Sequence, residues 1–189
     1  MYDIKSAWSL KNNWLSLAKS DKLYSLLVKE IIWERPRVKL FGKSYYVPRH
    51  TSFIAEKYVS YKYSGYVHRG EGIPGWFIPI MEEVSTECNV RFNGCLLNKY
   101  QNGDDKMGWH SDNEKELDKD SPIALLSLGS TRLIYFKAKA YKAIVKIPLS
   151  KGDLLLMSPQ CQEEWLHSIP SSKRIINTRI SLTFRKYLF

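Results

Sequence analysis

The chain has 189 residues, 44% of them apolar and 13% aromatic, with a net charge of +10 at pH 7. That suits one domain with a real hydrophobic core, and a charged fraction of 25% excludes disorder as its main state. No stretch approaches the ~20 apolar residues of a membrane span; the run from Ile123 stops at Ser127. Lys5, Lys11 and Lys19 interrupt the region where a secretory leader would need an apolar block. Cys88, Cys95 and Cys161 are odd in number and lack CxxC spacing, which fits a reducing compartment. An intracellular protein is expected, cytoplasmic in a prokaryote or nuclear in a eukaryote, with no membrane partner. Residues 1–65 carry twelve Lys and Arg against five Asp and Glu, and residues 66–189 carry seventeen against fourteen. An excess concentrated in the first third suits a polyanion partner, with a solvated basic surface as the alternative.

In chain order, Ser20-Asp21 offers a cap for a helix whose Leu23, Leu26, Leu27, Ile31 and Ile32 recur at helical spacing. Arg35-Pro36 ends it. Residues 37–47 read as a hairpin, with Val38 and Leu40 alternating against Arg37 and Lys39 and Gly42 in the turn. Residues 58–63 alternate again as a strand. Residues 74–88 predict a second helix with Trp76, Phe77, Ile80, Met81 and Val84 on its buried side. From Asn93 onward, short strands follow one another between Gly, Pro, Asn and Asp. They span 94–100, 123–128, 131–137, 143–148, 153–157 and 179–185. Such spacing without intervening helices predicts a mainly β, antiparallel sandwich or jelly roll preceded by helices.

The chemistry concentrates in three residues. His110 and Asp112 lie two apart, so on an extended segment both project to one side. His167 follows at the end of an apolar strand. Two imidazoles and one carboxylate make the facial triad that binds non-heme Fe(II) and leaves open positions. A His-x-Asp pair alone is also what an ordinary surface turn supplies. The last strand carries Arg179, Ser181, Thr183 and Arg185 on one face. Two arginines on one face of a β core need an anionic partner, such as a dicarboxylate held through bidentate bonds. An edge strand turning its polar face to water is the alternative.

Together these features resemble the AlkB family of Fe(II)/2-oxoglutarate-dependent nucleic-acid dealkylases. The resemblance runs through Asn98-x-Tyr100, Gly103, Gly108, His110-x-Asp112-x-Glu114, Ser121-Pro122-Ile123-Ala124, Ser127-x-Gly129, Trp165-x-His167-Ser168 and Arg179-x₃-Thr183-Phe184-Arg185. It covers residues 37–189, and Phe41-Gly42-Lys43 with Val47-Pro48-Arg49 is similar to the branch that repairs duplex DNA. The resemblance implies a double-stranded β-helix core over 66–189. Residues 1–65 would then be a basic extension with a nucleotide-recognition hairpin lid. It makes His110, Asp112 and His167 the iron ligands, and Asn98, Tyr100, Arg179, Ser181, Thr183 and Arg185 the 2-oxoglutarate site. Glu114 would accept from the exocyclic amine of the damaged base. Tyr63 and His110 would sandwich that base, with Tyr61 and Ser64 alongside, and Arg49 would lie on the substrate side. Sheet packing is the other role open to Tyr61 and Tyr63. Phe41, at the hairpin tip between cations, would act as a wedge filling the gap left by an extruded base.

The implied reaction uses O2 to decarboxylate 2-oxoglutarate to succinate and CO2. It oxidises the alkyl group of N1-methyladenine or N3-methylcytosine, which leaves as formaldehyde. Alkylated DNA, with RNA as a further class, would be the partner of a monomer. A related oxygenase acting on RNA or protein, or a metal-free jelly-roll nucleic-acid-binding module, are the alternative readings. Three departures stand out: Ser181 where relatives place Asn, Asn113 where the close branch has Asp, and the bulky Trp109 beside a ligand.

Overall fold

A computed structural model describes residues 7–40, 43–63 and 66–188. Phe41 and Ser64 lie outside the described residues, and of Tyr63 only the backbone is described. The chain opens with β1 (Trp8–Lys11), α1 (Leu17–Glu30), β2 (Arg37–Leu40), β3 (Lys43–Tyr46), β4 (His50–Ala55), β5 (Ser60–Tyr63) and β6 (Tyr66–Arg69). Then follow α2 (Ile78–Cys88), β7 (Gly94–Tyr100), β8 (Met107–His110), β9 (Ile123–Gly129), β10 (Arg132–Ala138), β11 (Ile144–Leu149) and β12 (Leu154–Met157). A short α3 (Pro159–Glu164), β13 (Trp165–Ile169) and β14 (Arg179–Arg185) complete it.

The strands form a large sheet in the order β1-β12-β9-β14-β7-β4 and a small one in the order β11-β10-β13-β8. The pairs β2-β3 and β5-β6 are separate hairpins. All pairing is antiparallel, as the strand spacing predicted. One face of the large sheet buries Leu97, Leu126, Ile180, Leu182 and Phe184 against Leu23 and Leu27 of α1 and Ile80, Met81 and Val84 of α2. Its other face meets the small sheet through Leu125, Leu155 and Met157 against Ile134, Phe136, Trp165 and Ile169. The result is a jelly roll with helices backing one sheet. All three cysteines are free.

Two expectations are corrected. The division at residue 65 cuts through the large sheet, because β1 pairs with β12 and β4 pairs with β7. Both edges of the core sheet therefore come from the supposed extension. The cap of α1 is Ser16, whose hydroxyl accepts from the Lys19 backbone N–H, while Ser20 is buried inside the helix. Its Oγ donates to the Leu15 carbonyl at 3.3 Å instead. The first helix ends at Glu30, with Ile31 already extended and Ile32 on the surface.

Candidate active site

Strand β14 lies between β9 and β7, so its polar face turns into the barrel and not to water. Ile180, Leu182 and Phe184 alternate into the helix-backed core, which sends Arg179, Ser181, Thr183 and Arg185 the other way. Register brings Tyr100 and Gly129 beside Arg179, and Asn98 and Ser127 beside Ser181. One narrow cavity is lined by Asn98, Tyr100, Arg179, Ser181, Thr183 and Arg185 together with His110, Asp112 and His167. The predicted co-substrate residues and the predicted triad thus share a wall.

His110 and His167 are cross-strand partners on β8 and β13, with ring centroids 4.2 Å apart. Asp112 stands just past the end of β8, in the loop that follows. One ligand atom from each of the three residues lies within 4.8 Å of the others. The register slips between His167–Ile169 and Met107–His110, so β8 holds one residue more than its partner. That bulge lets Met107 face the core and His110 face the cavity, although they are three apart. His110 Nδ1 lies 2.9 Å from the Gly108 carbonyl, which it reaches as a donor, leaving Nε2 as the free lone pair. That nitrogen is 3.7 Å from Asp112 Oδ1.

Burial lowers the pKa of both imidazoles, His167 down to about 3, so both are neutral at physiological pH. Burial alone would push the Asp112 carboxyl up. The Arg185 guanidinium, joined by the imidazoles once they protonate, outweighs it and holds that carboxyl well below the usual range. Arg185 Nη2 sits 2.9 Å from Asp112 Oδ2. Two neutral nitrogens and one ionised carboxylate form a donor set that fits a divalent iron. The Asp112 backbone N–H donates to Gln162 Oε1 at 2.9 Å, which ties the ligand loop to α3. Gln162 Nε2 is buried without a partner, on the wall of a cavity of about 220 Å³ that also reaches Asp112 and Arg185.

Arg179 is fully buried, and burial lowers its pKa to about 10. Its Nε donates to Ser127 Oγ at 3.0 Å, but Nη1 and Nη2 make no hydrogen bond. Arg185 likewise leaves Nε and Nη1 without acceptors. Unsatisfied guanidinium groups in one enclosed cavity fit a dicarboxylate. Arg49 was expected on the substrate side; it is 5% exposed and donates to Asn98 Oδ1 at 2.6 Å, bracing the co-substrate wall.

Glu114 is half-buried, with Oε2 enclosed and unpartnered, and burial raises its pKa against the opposing charge of Arg185. Tyr61 is buried, stacked on His68 at 4.9 Å and flanked by Phe53 and Tyr187. Its ring is sheet packing, while its hydroxyl is a buried orphan. The sequence pattern includes Ser127 without assigning it a role, which strand pairing with Ser181 supplies, whereas no pattern marks Gln162.

Comparison with known proteins gives concordant results. The signature described as the 2OG-Fe(II) oxygenase superfamily matches residues 8–185. The human DNA oxidative demethylase ALKBH2 is 34% identical over 186 residues, covering 90% of this chain and 70% of that protein. The bovine alpha-ketoglutarate-dependent dioxygenase alkB homolog 3 is 31% identical over 183 residues, covering 90% of this chain and 63% of that one. Among solved structures, one titled "The structure of OsALKBH1" superposes with a TM-score of 0.72 at 17% identity. It covers 98% of this chain and all of that one, which supports the fold.

Proposed function

The chain belongs to the AlkB family of 2OG-Fe(II) oxygenases, and from that premise we propose how its site strips N-alkyl groups from DNA bases. It is an Fe(II)- and 2-oxoglutarate-dependent dioxygenase of oxidative DNA demethylation. N1-methyladenine and N3-methylcytosine are its lesions in this reading, RNA is a second substrate class, and the working unit is an intracellular monomer.

His110, Asp112 and His167 would hold the iron, and Arg179 and Arg185 would answer the carboxylates of 2-oxoglutarate. When bound, the iron couples decarboxylation of 2-oxoglutarate by O2 to oxidation of the alkyl carbon, yielding succinate, CO2 and formaldehyde. The protein's own part is positioning and exclusion. Arg185 keeps Asp112 ionised, and Gly108 fixes the His110 tautomer. Arg49 holds Asn98 against the co-substrate wall. The enclosed Oε2 of Glu114 would accept from the exocyclic amine of a base swung out of its stack.

One observation carries this reading: the His110–Asp112–His167 cluster and the unpartnered end of Arg179 wall the same cavity. Formaldehyde release from methylated single- and double-stranded oligonucleotides tests it, with and without Fe(II) and 2-oxoglutarate. Release is expected only when both are supplied. No release from any methylated strand overturns the substrate assignment.

A further inference from the structure

The bulge that aims His110 inward turns Trp109 outward, onto the outer face of the small sheet. Trp109 is 41% exposed there and is not isolated. On β10, Ile134 and Phe136 face the core, so Leu133, Tyr135 and Lys137 face out beside it. The Trp109 and Tyr135 rings lie 6.5 Å apart, centre to centre. Lys137 Nζ sits over the Trp109 ring at 5.5 Å, and Lys146 Nζ of β11 sits over the Tyr135 ring at 5.1 Å. The four strands of this sheet contain no Asp or Glu. Beyond them, the β10–β11 turn adds the exposed Lys142.

An exposed indole next to a metal ligand is an expensive surface choice if it serves only to cover a lysine stem. A surface cation–π contact contributes only about 0.5–1 kcal/mol. The chemistry of the patch is specific: flat aromatic faces with ammonium groups poised above them and no competing carboxylate on the strands. An unpaired base can stack on such a face while the lysine swings to the neighbouring phosphate. Paired bases present no free face. We propose that the outer face of the small sheet, centred on Trp109 and Tyr135, is a stacking platform for unpaired nucleotides flanking the target base. Lys137 and Lys146 take their phosphates. This inference rests on the nucleic-acid substrate proposed above and names a second contact for it, outside the cavity.

The test uses the full chain and a labelled, unmethylated oligothymidylate of about 12 nucleotides, compared with a duplex of equal length at fixed salt. Trp109→Ala and Tyr135→Ala should each weaken single-strand binding about 10-fold and duplex binding less than about twofold. Trp109→Phe should retain most of the affinity, since stacking needs a ring and not an indole. Lys137→Ala should weaken both substrates and lower the salt dependence of single-strand binding by roughly 0.7 in log–log slope. Thermal unfolding serves as the folding control. Single-strand affinity unchanged in both aromatic variants overturns the platform, and so does an equal loss on strand and duplex. Because the probe is unmethylated, the platform can stand if formaldehyde release fails, and can fall while release succeeds.

Discussion

Two buried arginines place their guanidinium carbons 5.4 Å from the centre of the Tyr100 ring, and they are in opposite conditions. Arg132 is 1% exposed, and both of its terminal nitrogens donate. Its Nη1 donates to the Asn102 carbonyl at 3.0 Å, and its Nη2 to those of Asp105 at 2.9 Å and Pro170 at 2.7 Å. It clasps the loop after β7 to the loop after β13. The same two loops touch directly at Gly103, where a Cβ would collide with the Ser172 carbonyl oxygen. Arg179 is just as buried, but Nη1 and Nη2 lie against the Tyr100 side chain and make no well-formed hydrogen bond. A cation held out of water without a partner costs several kcal/mol. The fold satisfies one arginine with its own backbone and leaves its neighbour for a ligand. Burial alone therefore does not tell a structural charge from a functional one; the account of its hydrogen bonds does.

The comparison is broken most severely at Asp112. It is the only carboxylate of the triad and the partner of Arg185, so Asp112→Ala would convert Arg185 into a second orphan. Iron affinity should fall by more than about 100-fold, with stability lowered as well, because a buried charge is left unpaired. His110→Ala and His167→Ala should lose iron comparably while leaving that ion pair in place. Anaerobic Fe(II) titration together with thermal unfolding reads both quantities. Retention of iron by any of the three variants removes the triad.

The two arginines themselves should separate next. Arg179→Met is expected to lose about 100-fold in 2-oxoglutarate affinity with the melting temperature unchanged or raised, since it deletes an unpaired buried charge. Arg132→Met should do the reverse. It strands three carbonyls and costs about 3 kcal/mol, lowering the melting temperature by roughly 6–12 °C, while the folded fraction binds 2-oxoglutarate normally. Calorimetric titration and thermal scans on both variants suffice. Parallel behaviour would mean that the unsatisfied tip of Arg179 has no bearing on ligand binding.

Glu114 extends the same logic to the substrate. Its enclosed Oε2 awaits a donor, so Glu114→Ala should cut kcat/KM on methylated oligonucleotides about 10- to 100-fold. Affinity for 2-oxoglutarate should not move. A loss confined to 2-oxoglutarate binding would place Glu114 on the wrong side of the site.

The strands from β9 to β12 were legible to within about two residues, and β7 and β14 in full, because each holds three or more apolar residues between turn formers. The strands β1, β4, β6, β8 and β13 were not delineated. Several are four residues long, and His50–Ala55 begins with three polar or titratable residues, so neither period declares itself. The alternation of Arg179, Ser181, Thr183 and Arg185 was visible, but it fitted an edge strand equally well. Only the pairing of β14 on both sides decides between the two, and pairing is not a local property. Arg132 was invisible for the same reason, since its acceptors lie 27 to 38 residues away. The triad residues could be named from their types, whereas the bulge that aims His110 and ejects Trp109 could not.

The smallest effect is expected at a side chain that belongs to both conditions at once. Gln162 satisfies the Asp112 backbone N–H through Oε1, while its Nε2 is an orphan like the tip of Arg179. The first half is structural support for a ligand, and loss of such support typically weakens metal affinity about 10-fold. Gln162→Met fills similar volume, removes both polar atoms and frees the loop between β8 and β9 from α3. Iron affinity should drop about 10-fold in this variant, with the 2-oxoglutarate affinity of the iron-loaded protein and the melting temperature nearly unchanged. The contrast with Asp112→Ala is informative, because the ligand and its charge both remain and only the backbone that presents them is loosened. Unaltered iron binding would show that Asp112 is held by Arg185 alone. The bond from α3 would then be loop packing, and Gln162 would join Arg132 among the polar groups that serve the fold.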